Sequence, residues 1–156
     1  MVIQRWQSVL LFIVTVMMAC FTFMSLGQVQ LTDYSLNFTT LGFTYEGIPS
    51  QGGETGYYMH TWAFFIVSLL SMVLPLINIF LFKNLKLQKN VCIIEIFLLL
   101  ALLAIGVVYG YYHFDTTTVS WSSIIIAPLI AFVADLMAYN RISSDQRLLK
   151  AADRIR

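Results

Sequence analysis

Four long apolar stretches dominate the hydrophobic pattern of the chain. They cover about residues 9–26, 61–82, 91–111 and 121–139. A helix needs about 20 apolar residues to cross a hydrocarbon core roughly 30 Å thick, and none of these stretches has room for two helices. The pattern therefore predicts an all-α membrane protein with a single four-transmembrane-helix bundle over residues 1–156. Four spans place both termini on the same side of the membrane.

The connection at residues 27–60 carries a second pattern. Between residues 28 and 46, apolar and polar residues alternate in short runs with the period of a β-strand. The alternation changes phase near Asp33 and Thr40, and a turn-rich PSQGG segment follows at 49–53. We therefore predict a small β-ribbon of two or three antiparallel strands. Because such a ribbon is marginal alone in water, we expect its apolar face to pack on the helix ends or on a partner.

The composition agrees with a membrane protein. Hydrophobic residues make up 59% of the 156 residues and charged residues only 11%, whereas a soluble domain has about 25% charged residues. The first apolar stretch is long for a secretory signal peptide. We therefore expect it to remain in the protein as a membrane helix.

The nine Lys and Arg residues are distributed unevenly along the chain. None lies in residues 27–60 or 112–120, and all of them flank the other ends of the four stretches. Lys and Arg are enriched in cytoplasmic loops, so both termini are predicted to be cytoplasmic and the loop 27–60 extracytoplasmic. Aromatic residues at the outer ends of the stretches predict an interfacial belt there: Tyr57, Tyr58, Trp62, Tyr111, Tyr112 and Trp121.

Small and polar residues predict the packed face of each helix, because they mark helix contacts in lipid. They are Ser8, Thr15, Ala19 and Thr22 on the first helix; Ser68, Ser71, Pro75 and Asn78 on the second; Cys92, Glu95, Leu102, Gly106 and Gly110 on the third; and Ala127, Ala131, Ala134, Asp135 and Ala138 on the fourth. Such spacings keep each set on one side of its helix. Pro75 and Pro128 are expected to kink their helices, because each removes a backbone donor.

Asn78, Glu95 and Asp135 are predicted to form an intramembrane polar cluster. At about 1.5 Å of rise per residue, each lies within roughly 10 Å of the positively charged helix ends, so the three share one depth. Ionisable groups inside a bilayer are costly and indicate a functional site by default. Three interpretations stay open. The carboxyls could join helices through hydrogen bonds or through Arg5 or Lys89, relay protons or cations, or receive a basic residue of another subunit.

The last residues, 140–156, are predicted to form a cytoplasmic amphipathic helix that continues the fourth span. This tail contains five Lys and Arg residues and two Asp residues. Basic amphipathic helices favour anionic headgroups or partner helices, although a solvated helix that only orients the chain is the alternative. The residues predicted to dock on lipid or a partner are Ile142, Arg147, Leu149, Lys150 and Ile155.

Other chemistry has little support in the sequence. The chain has no HExxH, GxSxG, P-loop or dinucleotide-binding motif, so no enzyme activity, cofactor or nucleic-acid partner is expected. Its two cysteines lie inside apolar runs and give no metal-binding spacing. His60 and His113 share the outer compartment with Glu46, Glu54 and Asp115, but their spacing is not that of a metal site.

Three segments carry a family resemblance. They are IQRWQS at 3–8, FKNLKLQ at 82–88, and the ending with Asp145, Leu148 and ADRIR at 152–156. With them, the whole chain resembles the family catalogued as domain of unknown function 4293. The resemblance implies a four-helix protein of the bacterial cytoplasmic (inner) membrane in Bacteroidota, and it implies no activity. Ser143, Ser144 and Gln146 depart from the more charged family pattern of the tail.

Together these patterns favour a non-catalytic structural or accessory subunit of a larger cytoplasmic-membrane assembly, such as export, insertion or motility machinery. The expected partners are other membrane-protein subunits and the lipid bilayer. The alternative is a small-solute or ion transporter that uses Glu95 and Asp135. Because four helices enclose little space, a transporter would be expected to work as a homo-oligomer.

Overall fold

The computed structural model describes residues 3–30, 35–46, 56–82, 84–113 and 119–155, with side chains for all of these except 3–5, 46, 110–113, 149–150 and 152–155. Four helices are long and apolar enough to cross a membrane, as predicted. They are α1 (Ile3–Phe23), α2 (Trp62–Phe80), α3 (Leu85–His113) and α4 (Ala127–Ile155). Each packs against its neighbours in the order α1–α2–α3–α4, and α4 returns against α1.

The predicted start of the third helix is wrong, whereas the predicted continuation of the fourth helix is confirmed. Helix α3 already begins at Leu85, so most of the predicted connection 83–90 is helical. Helix α4 continues unbroken through the predicted tail to Ile155, which confirms the continuous fourth helix. Each has 29 residues and is therefore roughly 43 Å long, more than a hydrocarbon core of about 30 Å requires. The hydropathy pattern predicts which residues could lie within a hydrocarbon core. It does not predict where each helix begins and ends.

Pro128 lies in the first turn of α4, directly after a short 3-10 helix, Ser123–Ile126. The first turn of a helix tolerates proline because its backbone N–H has no partner within the helix. The kink predicted at Pro128 is therefore not required. Pro75, by contrast, lies inside α2.

One antiparallel sheet covers the end of the bundle where α2 and α4 begin. Its strands are β1 (Gly27–Gln30), β2 (Ser35–Thr39), β3 (Gly42–Glu46), β4 (Tyr57–His60) and β5 (Val119–Trp121), in the order β4–β3–β2–β1–β5. The first three confirm the predicted ribbon, and the turn after β2 falls at Thr40, where the phase changes. The PSQGG segment lies outside the described residues. Strands β4 and β5 were not predicted, and β5 joins the sheet from the connection between α3 and α4.

The apolar face of the sheet packs on the helix ends, as expected. Its buried side chains are Val29, Leu36, Phe38 and Phe43. Two threonines fasten the sheet to the helices. The Thr40 hydroxyl donates to the Thr22 carbonyl at the end of α1 (2.7 Å), and the Thr61 hydroxyl, just before α2, donates to the Thr40 carbonyl (2.9 Å).

The predicted packing faces are confirmed for α2 and α4 but only in part for α1. Ser68, Ser71, Pro75 and Asn78 are all buried, as are the five residues chosen on α4. On α1, however, Ser8 and Thr15 are only half-buried. The buried face of α1 instead contains Gln7, Leu11, Val14, Met18 and Phe21. Thr15 donates to Leu11 of its own helix, so its hydroxyl needs no neighbouring helix.

The interior divides into two halves along the bundle axis. The half next to the sheet, called the sheet half below, is filled by a large apolar cluster that includes Val14, Met18, Phe64, Leu99 and Leu102. The half next to the chain termini, called the terminal half, has a smaller apolar cluster of Leu11, Cys92, Ala138 and Ile142. Most of the buried amide and carboxyl side chains lie in the terminal half.

Candidate functional site

The candidate site is a group of buried polar side chains in the terminal half, called the polar cluster below. Its members are Asn78 of α2, Gln88, Cys92 and Glu95 of α3, and Asp135 of α4. Gln88 is 1% exposed and the other four are fully buried. Three helices therefore contribute polar groups to one interior site.

Helix α3 supplies the centre of the polar cluster. Gln88, Cys92 and Glu95 follow one another at spacings of four and three residues, which places them on the same face of a helix. This face includes Gln88 only because α3 begins at Leu85. The early start of the helix thus extends the polar face by one turn toward the chain termini.

Two hydrogen bonds connect α2 to α3 within the polar cluster. The Asn78 side-chain amide donates to the Cys92 sulfur at 3.2 Å. The Gln88 side-chain amide donates to the Asn78 backbone carbonyl at 3.4 Å, which also accepts the Leu81 backbone N–H at 3.1 Å. The last turn of α2 is therefore capped from α3, and Asn78 is held against Cys92.

The two carboxyl groups lie on the other side of Cys92. The Asp135 carboxyl is next to the Cys92 thiol, and Glu95 is close enough to both for their charges to interact. Neither carboxyl is near water, because both residues are fully buried. The polar cluster thus brings two acidic groups together in an apolar bundle.

The oxygens of this cluster lack hydrogen-bond donors. Within the part of the chain that the structure describes, seven buried side-chain oxygens have no partner, and six of them belong to the polar cluster: Asn78 Oδ1, Gln88 Oε1, and both carboxyl oxygens of Glu95 and of Asp135. A buried polar atom without a partner costs about 1–3 kcal/mol, and more when it is charged. The polar cluster is therefore not explained by packing alone.

The Lys89 side chain, a candidate counter-charge for the carboxyls, has partners elsewhere. The Lys89 ammonium contacts the Ser143 hydroxyl at 3.4 Å and lies 5.1 Å from the centre of the Tyr139 ring. Pairing of Lys89 with the carboxyls, one of the interpretations that the sequence left open, is therefore not observed, and the Arg5 side chain lies outside the described residues. No group of three or more His, Cys, Asp and Glu side chains that could hold a metal ion occurs within the described ranges.

The structure brings the three sequence-selected residues Asn78, Glu95 and Asp135 together around one further residue, Cys92. Sequence reasoning missed two members. Cys92 was interpreted as a packing residue, and Gln88 was placed in a connection between helices. The signal that could have found Gln88 is its position four residues before Cys92, on the face that also carries Glu95.

The residues selected for docking in the tail have different surroundings. Ile142 is fully buried against the terminal-half cluster, so its selection as a docking residue is corrected: its side chain already has partners within the bundle. Asp145 accepts a hydrogen bond from Gln7 of α1, which holds the first part of the tail to the bundle. Arg147 is exposed, and the side chains of Leu149, Lys150 and Ile155 lie outside the described residues.

His60, at the end of β4, has aromatic neighbours. The His60 ring lies 4.4 Å from Tyr57 and 5.7 Å from Trp62, measured between ring centres. The side chains of His113, Glu46, Glu54 and Asp115 lie outside the described residues. His60 therefore belongs to an aromatic patch at the junction of β4 and α2.

These features define a class of protein: a four-helix bundle with membrane-length helices, a small antiparallel sheet at one end, and buried acidic groups near the other. The chain belongs to the family described as Domain of unknown function (DUF4293), which matches residues 3–155. This confirms the family expected from the sequence. No curated protein matches the chain.

Proposed function

We propose that this protein is a non-catalytic structural or accessory subunit of a larger assembly in the cytoplasmic membrane, such as export, insertion or motility machinery. The observation that carries the proposal is the five-stranded sheet. The connection between α1 and α2 and the shorter one between α3 and α4 both contribute strands to it, and both of its edge strands carry exposed aromatic side chains. An ordered platform of this kind at the end of a helix bundle suits contact with a partner protein.

The two edges have the properties of protein-binding surfaces. Tyr58 on β4 is 56% exposed and Trp121 on β5 is 49% exposed. Among the described residues, no further strand pairs with either edge. Edge strands present backbone groups to which another chain can add, and Tyr and Trp are enriched among residues that dominate binding energy. The proposed partner is therefore a subunit that contacts the sheet edges.

The orientation proposed for this subunit follows the positive charges. Lys86 and Lys89 lie in the first turns of α3, and Arg141 and Arg147 lie in the second half of α4. All four are therefore near the end of the bundle opposite the sheet. By the preference of Lys and Arg for cytoplasmic segments, the sheet would face the periplasm of a Bacteroidota cell and both termini the cytoplasm.

A transporter is the second candidate, and the unpaired carboxyls of Glu95 and Asp135 are the observation that favours it. The sheet half argues against a continuous path. Val14, Met18 and Leu99 are fully buried there and belong to one packed cluster. Transport would require this half to open or a second copy to provide the path, whereas a subunit needs neither change.

The test is purification of the tagged full-length protein in mild detergent, followed by quantitative mass spectrometry. Tyr58→Ser and Trp121→Ser remove the edge aromatic side chains. Trp62→Ser is the matched control, because Trp62 is 60% exposed at the same end of the bundle but belongs to α2. We expect a stoichiometric partner with the wild type and with Trp62→Ser, and reduced recovery with the two edge variants.

Two outcomes contradict the proposal. A wild-type preparation that contains only copies of this chain favours the transporter. Equal loss of partners in all three variants indicates that the aromatic residues act together in positioning the protein in the membrane interface, where aromatic side chains are also preferred.

A further inference from the structure

A cavity of about 330 Å³ lies between α3 and the start of α4, in the sheet half of the bundle. The buried rings of Phe21 and Phe64 form part of its inner wall. At its border with the surface, called the mouth below, lie the exposed side chains of Val107 on α3 and Ile125 on the 3-10 helix. The cavity therefore extends from the surface of the bundle into its aromatic core.

Gly106 of α3 lines the cavity and contributes to its space, because it has no side chain. A Cβ atom there would lie 3.6 Å and 3.7 Å from two carbons of the Phe64 ring, which are ordinary van der Waals distances. Glycine in a membrane helix commonly lets another helix approach closely. At Gly106, however, no described backbone atom of another element comes within 4 Å of the Cβ position. The space beside this glycine is therefore not filled by a neighbouring helix.

The described residues that line the cavity offer almost no hydrogen bonds. The indole N–H of Trp121 is the only polar side-chain group among them. The start of a helix usually presents free N–H groups, but in α4 the Ala127 N–H donates to the Ile124 carbonyl, and Pro128 has no N–H. A buried water molecule needs about two to four polar partners. The cavity is therefore suited to hydrocarbon and not to water or an anion.

We infer that this cavity binds one acyl chain of a membrane phospholipid. Val107 and Ile125 at the mouth belong to segments that are long and apolar enough to cross a membrane, so in a bilayer the mouth meets lipid chains. An apolar cavity of about 150 Å³ holds a benzene ring, so one about twice as large accommodates roughly ten carbons of a chain. An empty cavity would lose dispersion contacts along its whole wall.

The headgroup of the bound lipid would stay outside the cavity, on the side of the sheet. Trp121 of β5 lines the cavity, and tryptophan favours the depth of the headgroups. A free fatty acid fits less well, because its carboxylate would need a positive partner. The described Lys and Arg side chains lie near the opposite end of the bundle. The inference rests on the proposed membrane location and not on the subunit role.

The experiment uses the full-length protein purified in a detergent with a rigid steroidal tail, which does not imitate an acyl chain. The protein is incubated with phosphatidylglycerol or phosphatidylethanolamine that carry the same chains, and the phospholipid retained after washing is counted by mass spectrometry. Gly106→Leu places a branched side chain in the cavity. Gly106→Ala adds one methyl group and controls for the replacement of a helical glycine. Ala104→Leu is the matched control, because Ala104 is exposed on the same helix and does not line the cavity.

We expect about one retained phospholipid per wild-type chain, with either headgroup, and an unfolding temperature that rises with added phospholipid, because a ligand of the folded state stabilises it. Retention should fall at least about tenfold in Gly106→Leu, which requires the loss of only about 1.4 kcal/mol of binding free energy. Gly106→Ala should retain more lipid than Gly106→Leu, and Ala104→Leu should behave like the wild type.

The inference is overturned if the wild type retains no phospholipid, or if Gly106→Leu retains as much as the wild type. Retention of phosphatidylglycerol alone would assign the lipid to the basic end of the bundle, and equal loss in Ala104→Leu would indicate general contact with the bilayer. Release of a stoichiometric protein by Gly106→Leu from a lipid-free preparation would make the occupant a partner's side chain. Tyr58→Ser, which tests the subunit role, leaves the cavity lining unchanged, so its outcome is independent of the lipid count.

Circular dichroism checks that each variant folds. Should Gly106→Leu misfold, wild-type protein is reconstituted with a phospholipid that carries a photoreactive diazirine on one chain, and the adducts are located by mass spectrometry of peptides. Adducts on the buried lining residues Phe64 and Leu102 support the inference. Adducts confined to exposed helix faces overturn it.

Discussion

The sheet half and the terminal half of the bundle differ in how their buried polar groups find partners. Near the sheet, the buried hydroxyls donate to backbone carbonyls, and one amide oxygen, Asn37 Oδ1 of β2, has no partner. Thr22 bonds to Met18 and Ser68 to Phe65, each within its own helix. In the terminal half, the carboxyls of Glu95 and Asp135 have no described donor. A buried hydroxyl can donate a hydrogen bond to a backbone carbonyl of its own helix. A buried carboxylate finds no free N–H within its helix and therefore depends on donors from other parts of the protein.

The two halves also differ in the size of the side chains that fill them. Phe64 lies at the centre of the sheet half, with its ring 5.8 Å from Phe21, 6.1 Å from Phe38 and 6.2 Å from Tyr109. The apolar cluster of the terminal half contains the smaller residues Cys92 and Ala138 beside Leu11 and Ile142. The sheet half is therefore expected to contribute more of the stability that comes from packing. The terminal half contains the buried ionisable groups.

The largest expected effect is the loss of the Phe64 ring. Phe64→Ala should lower the free energy of unfolding by about 3–5 kcal/mol, because truncation of a buried aromatic residue removes its contacts and leaves a cavity. The ring connects α2 to α1, to the sheet and to α3, so no single neighbour can fill the space. Unfolding of the purified protein in detergent, followed by circular dichroism against temperature or denaturant, measures the change.

Phe80→Ala is the control for this comparison. Phe80 belongs to the same helix, but it is 72% exposed and lies at the terminal end. Its truncation should change stability by less than about 0.5 kcal/mol, as for most surface substitutions. Equal losses in the two variants would mean that burial in the sheet half does not determine stability, and the comparison of the two halves would fail.

A smaller effect is expected at the turn between β2 and β3. Gly42 has a φ of +149°, and a Cβ atom there would lie 2.1 Å from the Met59 carbonyl oxygen. Gly42→Ala should therefore cost more than about 2 kcal/mol, since it adds a backbone clash to a strained conformation that alone costs about 1–3 kcal/mol. Unfolding in detergent measures the loss, and the partner recovery described above tests whether the β4 edge persists.

A substitution at Gly56 measures the cost of the backbone conformation without a steric clash. Its φ is +153°, but a Cβ atom there would meet no described atom within 4 Å. Gly56→Ala should therefore show only the cost of the backbone conformation, about 1 kcal/mol. If Gly42→Ala is no worse than Gly56→Ala, β3 and β4 can move apart without penalty, and the sheet is not the rigid platform that we propose.

The helices could be predicted from the sequence because length and hydropathy identify segments that are long and apolar enough to cross a membrane. Their contacts were harder to predict. On α4, the spacing of Ala131, Ala134 and Ala138 identifies the buried face, because small residues allow close approach. On α1, the buried residues Leu11, Val14 and Met18 are no more apolar than the exposed ones. Lipid and protein interior are alike to an aliphatic side chain, so the pattern does not distinguish them.

The sheet and the polar cluster could be predicted only in part, because both depend on contacts between distant residues. Strand β5 has three residues and pairs with β1, so that Ser120 lies opposite Gln28. Nothing local in such a short segment indicates a strand. Likewise, Gln88 and Cys92 acquire their place in the polar cluster only when α3 packs against α2 and α4. Asn78, Glu95 and Asp135 were identifiable because a polar residue within an apolar stretch is conspicuous by itself.

The smallest expected effect on stability is at the end of α4, where the terminal half continues beyond the bundle. Leu149 follows the buried Ile142 by two helical turns, and α4 extends to Ile155. Because this segment follows the Gln7–Asp145 contact, we expect Leu149→Asp and Ile155→Asp to change stability by less than about 0.5 kcal/mol.

If the tail is a second partner surface, both variants should nevertheless lose co-purifying proteins, whereas Arg147→Gln and Lys150→Gln should have milder effects. Attraction to anionic lipid is worth about 1 kcal/mol per basic residue, so a tail that binds the membrane surface would show the reverse order. Flotation with vesicles containing anionic lipid, compared with recovery of partners for the same four variants, distinguishes these two roles.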